Sequence, residues 1–250
     1  MTEITDNNYL NMRRDRRDRY VYRILSLERF FQMFESNSNV LVKPALWEDP
    51  FENFIMNSNI RSSDGDVTDL LTRDLFYGQC WSKSKASDAM WRIYSPKKKG
   101  VRIRTTVRKL ITSLASSNKE HSYLQYFVGG VKYFNNKKFT AFSQSALSGN
   151  RFPQAHDLAR TLLVKRPAFK HENELRLLYF DVDRNNREDI FSYKISPHDL
   201  IDQIMVDPRV TFSEFRNLKD EIVSKTKFRG DIKRSKLYTL PKNIVIPFGP

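Results

Sequence analysis

Hydrophobic and polar positions divide this chain into short alternating stretches and a few helical ones, with no long apolar run. At 20–24, Tyr20, Tyr22 and Ile24 alternate with Val21 and Arg23, and period two in aromatic and β-branched residues predicts a strand. Ser26 stands where a helix cap belongs, followed by Leu27, Phe30, Phe31 and Phe34 on one helical face. Residues 37–39 end that helix, and 40–42 predict a second strand. The densest pattern is 79–104, QCWSKSKASDAMWRIYSPKKKGVRIR, which reads as strand, short helix over 88–94, basic turn and strand.

Beyond it, 67–76 and 107–114 predict helices. Residues 123–134 predict paired strands around Gly129-Gly130, with VKYF the clearer one. Residues 135–150 read as loop or weak helix, 152–164 as helix, and 175–180 as a buried strand. Ser196-Pro197 begins a helical turn, Ile204, Met205 and Val206 make a brief strand, and 211–223 is the most helical stretch, with Phe212, Phe215, Leu218 and Ile222 on one face. No repeat or linker interrupts the order. The expected fold is one α+β domain over 20–250, with mixed or antiparallel central sheets and flanking helices. A basic arm or helix precedes it at 1–19, ending in MRRDRRDR.

Composition adds three constraints. With 250 residues and 40% hydrophobic content the chain is long enough for a substantial core. No apolar run approaches the roughly 18 residues of a membrane span, and no secretory leader pattern opens the sequence, so a cytoplasmic protein without membrane contact is expected. The single cysteine, Cys80, excludes an internal disulfide and any cysteine-cluster metal site. The net charge of +14 predicts contact with polyanions, either nucleic acid or the phosphates of a nucleotide.

Candidate chemistry concentrates in three places. In KPALWEDPFENF, Asp49 precedes Pro50 as the cap of a helical start, which explains Asp49 but leaves Glu52 without a structural purpose. In the 79–104 stretch, Ser82, Ser84, Trp81, Trp91 and Tyr94 suit a ligand site at a sheet mouth and suit a packed core nearly as well. At 172–176, Glu172, Glu174 and Arg176 lead into a buried strand, where an extended backbone would send all three to one face. Ionisable groups there are costly unless paired or used. The four histidines show no ligand spacing, and neither a nucleophile elbow nor a phosphate-cradling glycine loop occurs. A nuclease using Asp49, Glu172, Glu174 and a lysine on a sheet, with magnesium held by the carboxylates, remains open. So does a non-catalytic partner in a larger complex whose aromatic and basic surface is the interface.

The order YVYR, DPFE, CWS, MW-x-x-Y, Lys-Gly-Val, VKY and E-x-E-x-R resembles the bacterial family catalogued as domain of unknown function 2971, over 20–238. The chain carries Trp47-Glu48-Asp49 where that family has Phe-Asn-Asp, so no family role passes to Glu48. The motif order is also similar to ADP-ribosyltransferases of the toxin type, which use an Arg on a first strand, a hydroxyl-rich strand and a later Glu-x-Glu. That resemblance implies an ADP-ribosyltransferase-like fold and NAD as co-substrate. Arg23 with Tyr22 would bind its pyrophosphate side, and Ser82 with Ser84 would support the catalytic Glu174. Trp81, Trp91 or Tyr94 would stack on a ring, and Glu172 would deprotonate an acceptor. Asp49, Glu52 and Arg176 would complete the substrate side. It further implies a bacterial defence or toxin effector that modifies nucleic acid or protein, alone or with partner proteins of such a system. The packing alternative pairs Arg23 with Glu52 or Glu174, makes the tryptophans core, leaves Glu172 solvated, and leaves Lys97, Lys98 and Lys99 an exposed turn. The transferase reading requires Arg23, Ser82 and Glu174 to line one cleft.

Overall fold

The computed structural model describes residues 4–61, 67–69, 73–85, 87–117, 125–146, 154–182 and 188–240, together with 245, 247 and 249. Its strands are β1 (Tyr9–Leu10), β2 (Tyr20–Ser26), β3 (Ser38–Val42), β4 (Asn59–Arg61), β5 (Val67–Asp69), β6 (Phe76–Ser82), β7 (Gly100–Thr106), β8 (Tyr126–Gly130), β9 (Lys132–Tyr133), β10 (Val164–Lys165), β11 (Glu174–Phe180), β12 (Ile190–Lys194), β13 (Gln203–Val206) and β14 (Asp231–Arg234). Its helices are α1 (Leu27–Ser36), α2 (Asp88–Tyr94), α3 (Val107–Ser117), α4 (Asn136–Ser145), α5 (Ala155–Thr161), α6 (Pro197–Leu200) and α7 (Phe212–Thr226). Ten strands form one mixed sheet, ordered β1-β8-β11-β6-β2-β7-β13-β14, with β3 and β12 branching from β6. The α+β single-domain expectation holds.

Alternation in β11 builds the two sides of the core. Leu175 and Leu177 join Val21, Phe30, Ile103, Leu110 and Ile222 under α1, α3 and α7, while Leu178 and Phe180 join Phe76, Phe127, Leu158 and Leu162 beside α5. Because β11 is covered on both faces, all seven of its residues are buried. A polar side chain placed on this strand must therefore find its partners inside the protein.

The decisive feature is a fork. β6 pairs along its length with β11, from Glu174 opposite Ser82 to Phe180 opposite Phe76. Its other edge is shared, since Tyr22 of β2 meets Ser82 whereas Val42 of β3 meets Gly78. β2 then leaves β6 and follows β7 in full register. The wedge between β2 and β6 is left open for a site.

Several elements follow the pattern closely. Ser26 accepts a hydrogen bond from the Arg29 amide, and Asn37 ends α1 in the left-handed region at φ 48°. Asp49 caps a short 3-10 turn (Pro50–Glu52) by accepting from the Phe51 amide. Others differ. Within 67–76 the described residues form β5, a 3-10 turn and the start of β6, not a helix. Gly129 and Gly130 lie inside β8, where a Cβ on Gly129 would collide with Leu163, so the glycines admit a close neighbour and do not turn a hairpin. VKYF supplies only the two-residue β9, which pairs with β10. Within 135–150, residues 136–145 form a regular helix, α4, capped by Asn135. In the 1–19 stretch, Tyr9 and Leu10 are buried and pair with β8. Phe212 is exposed at the start of α7 and does not share its buried face.

Candidate active site

A cleft of about 470 Å³ opens at the fork, within the usual range for small-molecule sites. It is lined from β2 by Tyr22, Arg23 and Ile24, from β6 by Cys80, Trp81 and Ser82, from α2 by Trp91 and Tyr94, and from the opposite wall by Asp49, Glu52, Lys165, Glu172 and Glu174. Arg23, Ser82 and Glu174, separated by up to 151 positions (174 minus 23), thus share one cavity.

Sheet register explains most of this. Tyr22 pairs with Ser82 and Ser82 with Glu174, so the three side chains leave one face of the sheet, joined by Cys80 and Arg176 two residues along. Arg23 pairs with Ile103 and starts from the opposite face, yet it lines the cleft because β2 has already left β6 there. Glu172 departs from the alternation expected of it. It ends a 3-10 helix (Pro167–Glu172), and Asn173 turns the chain into β11 through a left-handed conformation at φ 45°, which asparagine tolerates better than most residues. The carboxylate still reaches the cluster, buried rather than solvated.

The carboxylates converge on two cations. Lys165 Nζ lies 2.5 Å from Glu172, 2.6 Å from Glu52 and 3.4 Å from Glu174. Arg176 donates to both Glu174 oxygens, at 2.8 and 3.2 Å, and pairs with Glu52 at 3.0 Å. It also donates to the Leu162 carbonyl at 2.6 Å, and its guanidinium lies 4.2 Å from the Trp47 ring centroid. Trp47 reaches that position because Gly78 has no side chain; a Cβ there would fall 2.5 Å from the indole. Burial alone would raise the Glu174 pKa, but Arg176 and then Lys165 overcome it, holding the carboxylate ionised with a pKa of about 2. Burial, and then the Glu174 charge, push the pKa of the Cys80 thiol well up. Glu52 goes the other way, since burial outweighs Arg176 and raises its pKa.

Ser82 Oγ donates to the Glu172 backbone carbonyl at 2.7 Å and accepts from the Ser84 amide at 3.0 Å. It therefore braces the turn before β11 through the backbone, and its hydrogen bonds go to the Glu172 carbonyl and the Ser84 amide, not to the Glu174 carboxylate. Arg176, expected on the substrate side, is fully buried behind the cluster with its donors engaged, so it orders the carboxylates and does not face a ligand. Asp49 is held by Arg166 at 2.9 Å. Trp81 and Trp91 are 2% and 1% exposed and form walls, whereas Tyr94 is 45% exposed and presents its ring, with its hydroxyl 3.4 Å from Glu172. Lys97, Lys98 and Lys99 are exposed in the turn before β7.

Arg23 pairs with neither Glu52 nor Glu174, and among the described residues it has no hydrogen-bond or ion-pair partner. Burial pulls its pKa down, only partly offset by Cys80 and Tyr193. Lys165 and Arg102 escaped the sequence reading. Lys165 stands seven positions before Glu172, and only the intervening 3-10 helix folds it back. Arg102 sat in an alternating run that read as strand alone. No group of three or more potential ligands is arranged to hold a metal among the described residues. Lys165 occupies the point where the carboxylates meet, so the donor set does not fit magnesium.

Residues 90–177 match the model of the family described as "Protein of unknown function (DUF2971)". This is the family that the motifs resemble. The match includes the α2 motif and E-x-E-x-R but neither Arg23 nor Ser82. No curated protein matches in sequence. Among solved structures, Thermus sp. 2.9 DarT in complex with NAD+ is similar at 10% identity and a TM-score of 0.40, covering 88% of this chain and 96% of that one. The same protein in complex with ADP-ribosylated ssDNA gives 9% identity and a TM-score of 0.41, covering 88% and 95%. Among the described residues no helix is long and apolar enough to cross a membrane.

Proposed function

We propose that the forked cleft is the active site of an NAD-consuming, ADP-ribosyltransferase-like enzyme whose acceptor is a nucleic acid or a protein. The observation that carries this reading is the convergence of Arg23, Ser82 and Glu174 on one cavity. Arg23, which has no counterion among the described residues, offers its guanidinium to the pyrophosphate. The exposed Tyr94 ring stacks on nicotinamide or adenine. Glu174, fixed as a carboxylate, holds a ribose hydroxyl and stabilises the positive charge that develops on the ribose as nicotinamide leaves. Glu172, beside Tyr94 at the mouth, accepts the proton of the attacking acceptor. Ser82 keeps the 172–174 turn in place.

The test is free nicotinamide, followed by chromatography after NAD is mixed with purified protein, alone and with nucleic acid or protein extract. Wild type should release it, and Glu174→Gln should lower the rate by on the order of 10²–10³ in protein that remains folded at the assay temperature. Wild-type protein that releases none under any condition overturns the reading.

A second reading, a nucleic-acid-binding module without chemistry, is favoured by one specific feature. Arg104 lies 4.1 Å from the Tyr20 ring centroid and Arg102 4.6 Å from that of Tyr22, an alternation of cations and aromatics beside the cleft in a chain of net charge +14. Salt-dependent binding of an oligonucleotide with no nicotinamide release would favour it.

A further inference from the structure

Arg102 is 4% exposed, lines the cleft, and leaves Nε and Nη2 without a hydrogen-bond partner among the described residues. Among the described residues its one acceptor is the Lys85 carbonyl, which takes Nη1. Its guanidinium lies 4.6 Å from the Tyr22 ring centroid. Among the described residues no carboxylate pairs with it. Leaving a guanidinium buried and uncompensated is among the costlier things a fold can do. The cost is visible in its acidity, since burial brings the pKa down to about 10 with only Tyr22 opposing.

The surroundings offer further donors. Ser84 Oγ accepts from Asn173, Ser87 Oγ accepts from the Met90 amide, and both line the cleft with their own O–H left to donate. Two guanidinium nitrogens and two hydroxyls, with no carboxylate paired to the guanidinium among the described residues, suit a tetrahedral oxyanion. We infer that Arg102, with Ser84 and Ser87, holds a phosphate group of a nucleoside diphosphate. The guanidinium turns from the Lys85 carbonyl to the charged acceptor when the ligand enters. This deepens the proposed function, whose co-substrate carries a pyrophosphate, and it stands on Arg102 rather than on any transfer step.

The experiment is calorimetric titration of the whole protein with ADP and with adenosine. Wild type should bind ADP roughly 10- to 100-fold more tightly, the worth of one charge-assisted contact. In Arg102→Gln that ratio should collapse to about twofold with adenosine affinity unchanged, and Arg102→Lys, which keeps the charge but loses the fork, should fall between. Equal affinities in wild type, or a ratio that survives in Arg102→Gln, overturn the assignment. If Arg102→Gln does not fold, Arg102→Lys decides, since an undiminished ratio there makes the guanidinium a structural group only. Nicotinamide release, measured separately on wild type, keeps the two readings apart. A sustained ADP ratio without release sinks the transferase and leaves the phosphate site standing.

Discussion

The two ends of the cleft handle charge in opposite ways. At the carboxylate end, Glu52, Glu172 and Glu174 are matched against Lys165 and Arg176 at 2.5–3.4 Å. At the guanidinium end, among the described residues, Arg23 has no hydrogen-bond or ion-pair partner and Arg102 has only a carbonyl and a ring. A buried charge that is paired is part of how the fold stands up. One that is unpaired is a place where the fold has accepted a cost, and such places mark function more often than architecture. The carboxylate end is prebuilt, while the guanidinium end is completed by what binds.

The largest effect should come from breaking the prebuilt end. Arg176→Gln leaves Glu174 without its bidentate partner and Glu52 with Lys165 alone, in a strand with no access to water. Breaking a buried pair in this way costs about 3–5 kcal/mol, which denaturant unfolding will measure directly. A loss below about 1 kcal/mol would mean that the carboxylates are relieved by solvent and that the two ends do not differ in kind.

Acid provides a gentler version of the same test. Glu174 has its folded pKa lowered to about 2 from the ordinary 4.5. Its contribution to stability is therefore complete above about pH 4.5 and is lost as pH falls through 2. Glu52, whose folded pKa is raised, contributes with the opposite sign, since acid relieves the cost of keeping it charged. Stability should hold or rise slightly as pH approaches 4.5 from above and then fall steeply toward 2. In Arg176→Gln the steep limb should flatten, because the interaction that lowers the Glu174 pKa is gone. A limb of unchanged slope would assign it to other carboxylates.

This division also sets what the sequence could disclose. β2, α1, α2, β7 and β11 were legible because local rules dictate them: alternation for Tyr20, Val21 and Tyr22, a serine cap for α1, an apolar run for 175–180. That Glu174 and Arg176 share a face was legible for the same reason, being two residues apart on one strand, but their pairing was not, since Arg176 was expected on the substrate side. What was not legible depends on long-range closure. Lys165 meets Glu52 across 113 positions (165 minus 52) only because β10 and the turn at 50–52 come together. The solvation of Glu172 was misjudged because the left-handed Asn173 breaks strand alternation one residue too early. The glycines of β8 suggested a turn because sequence does not reveal that Leu163 presses on them.

The smallest expected effect is the sharpest contrast. Arg23→Gln removes a charge that the described fold does not compensate, so unfolding free energy should change by no more than about 1 kcal/mol, with a gain as acceptable as a loss. The same substitution should weaken NAD binding, because no described residue gives this guanidinium an acceptor and a bound pyrophosphate would supply one. Paired with Arg176→Gln, it forms a two-way separation, in which one arginine carries stability without touching ligand and the other carries affinity without supporting the fold. If Arg23→Gln destabilises the protein as much as Arg176→Gln does, Arg23 has a structural partner after all, and the guanidinium end of the cleft is as prebuilt as the other.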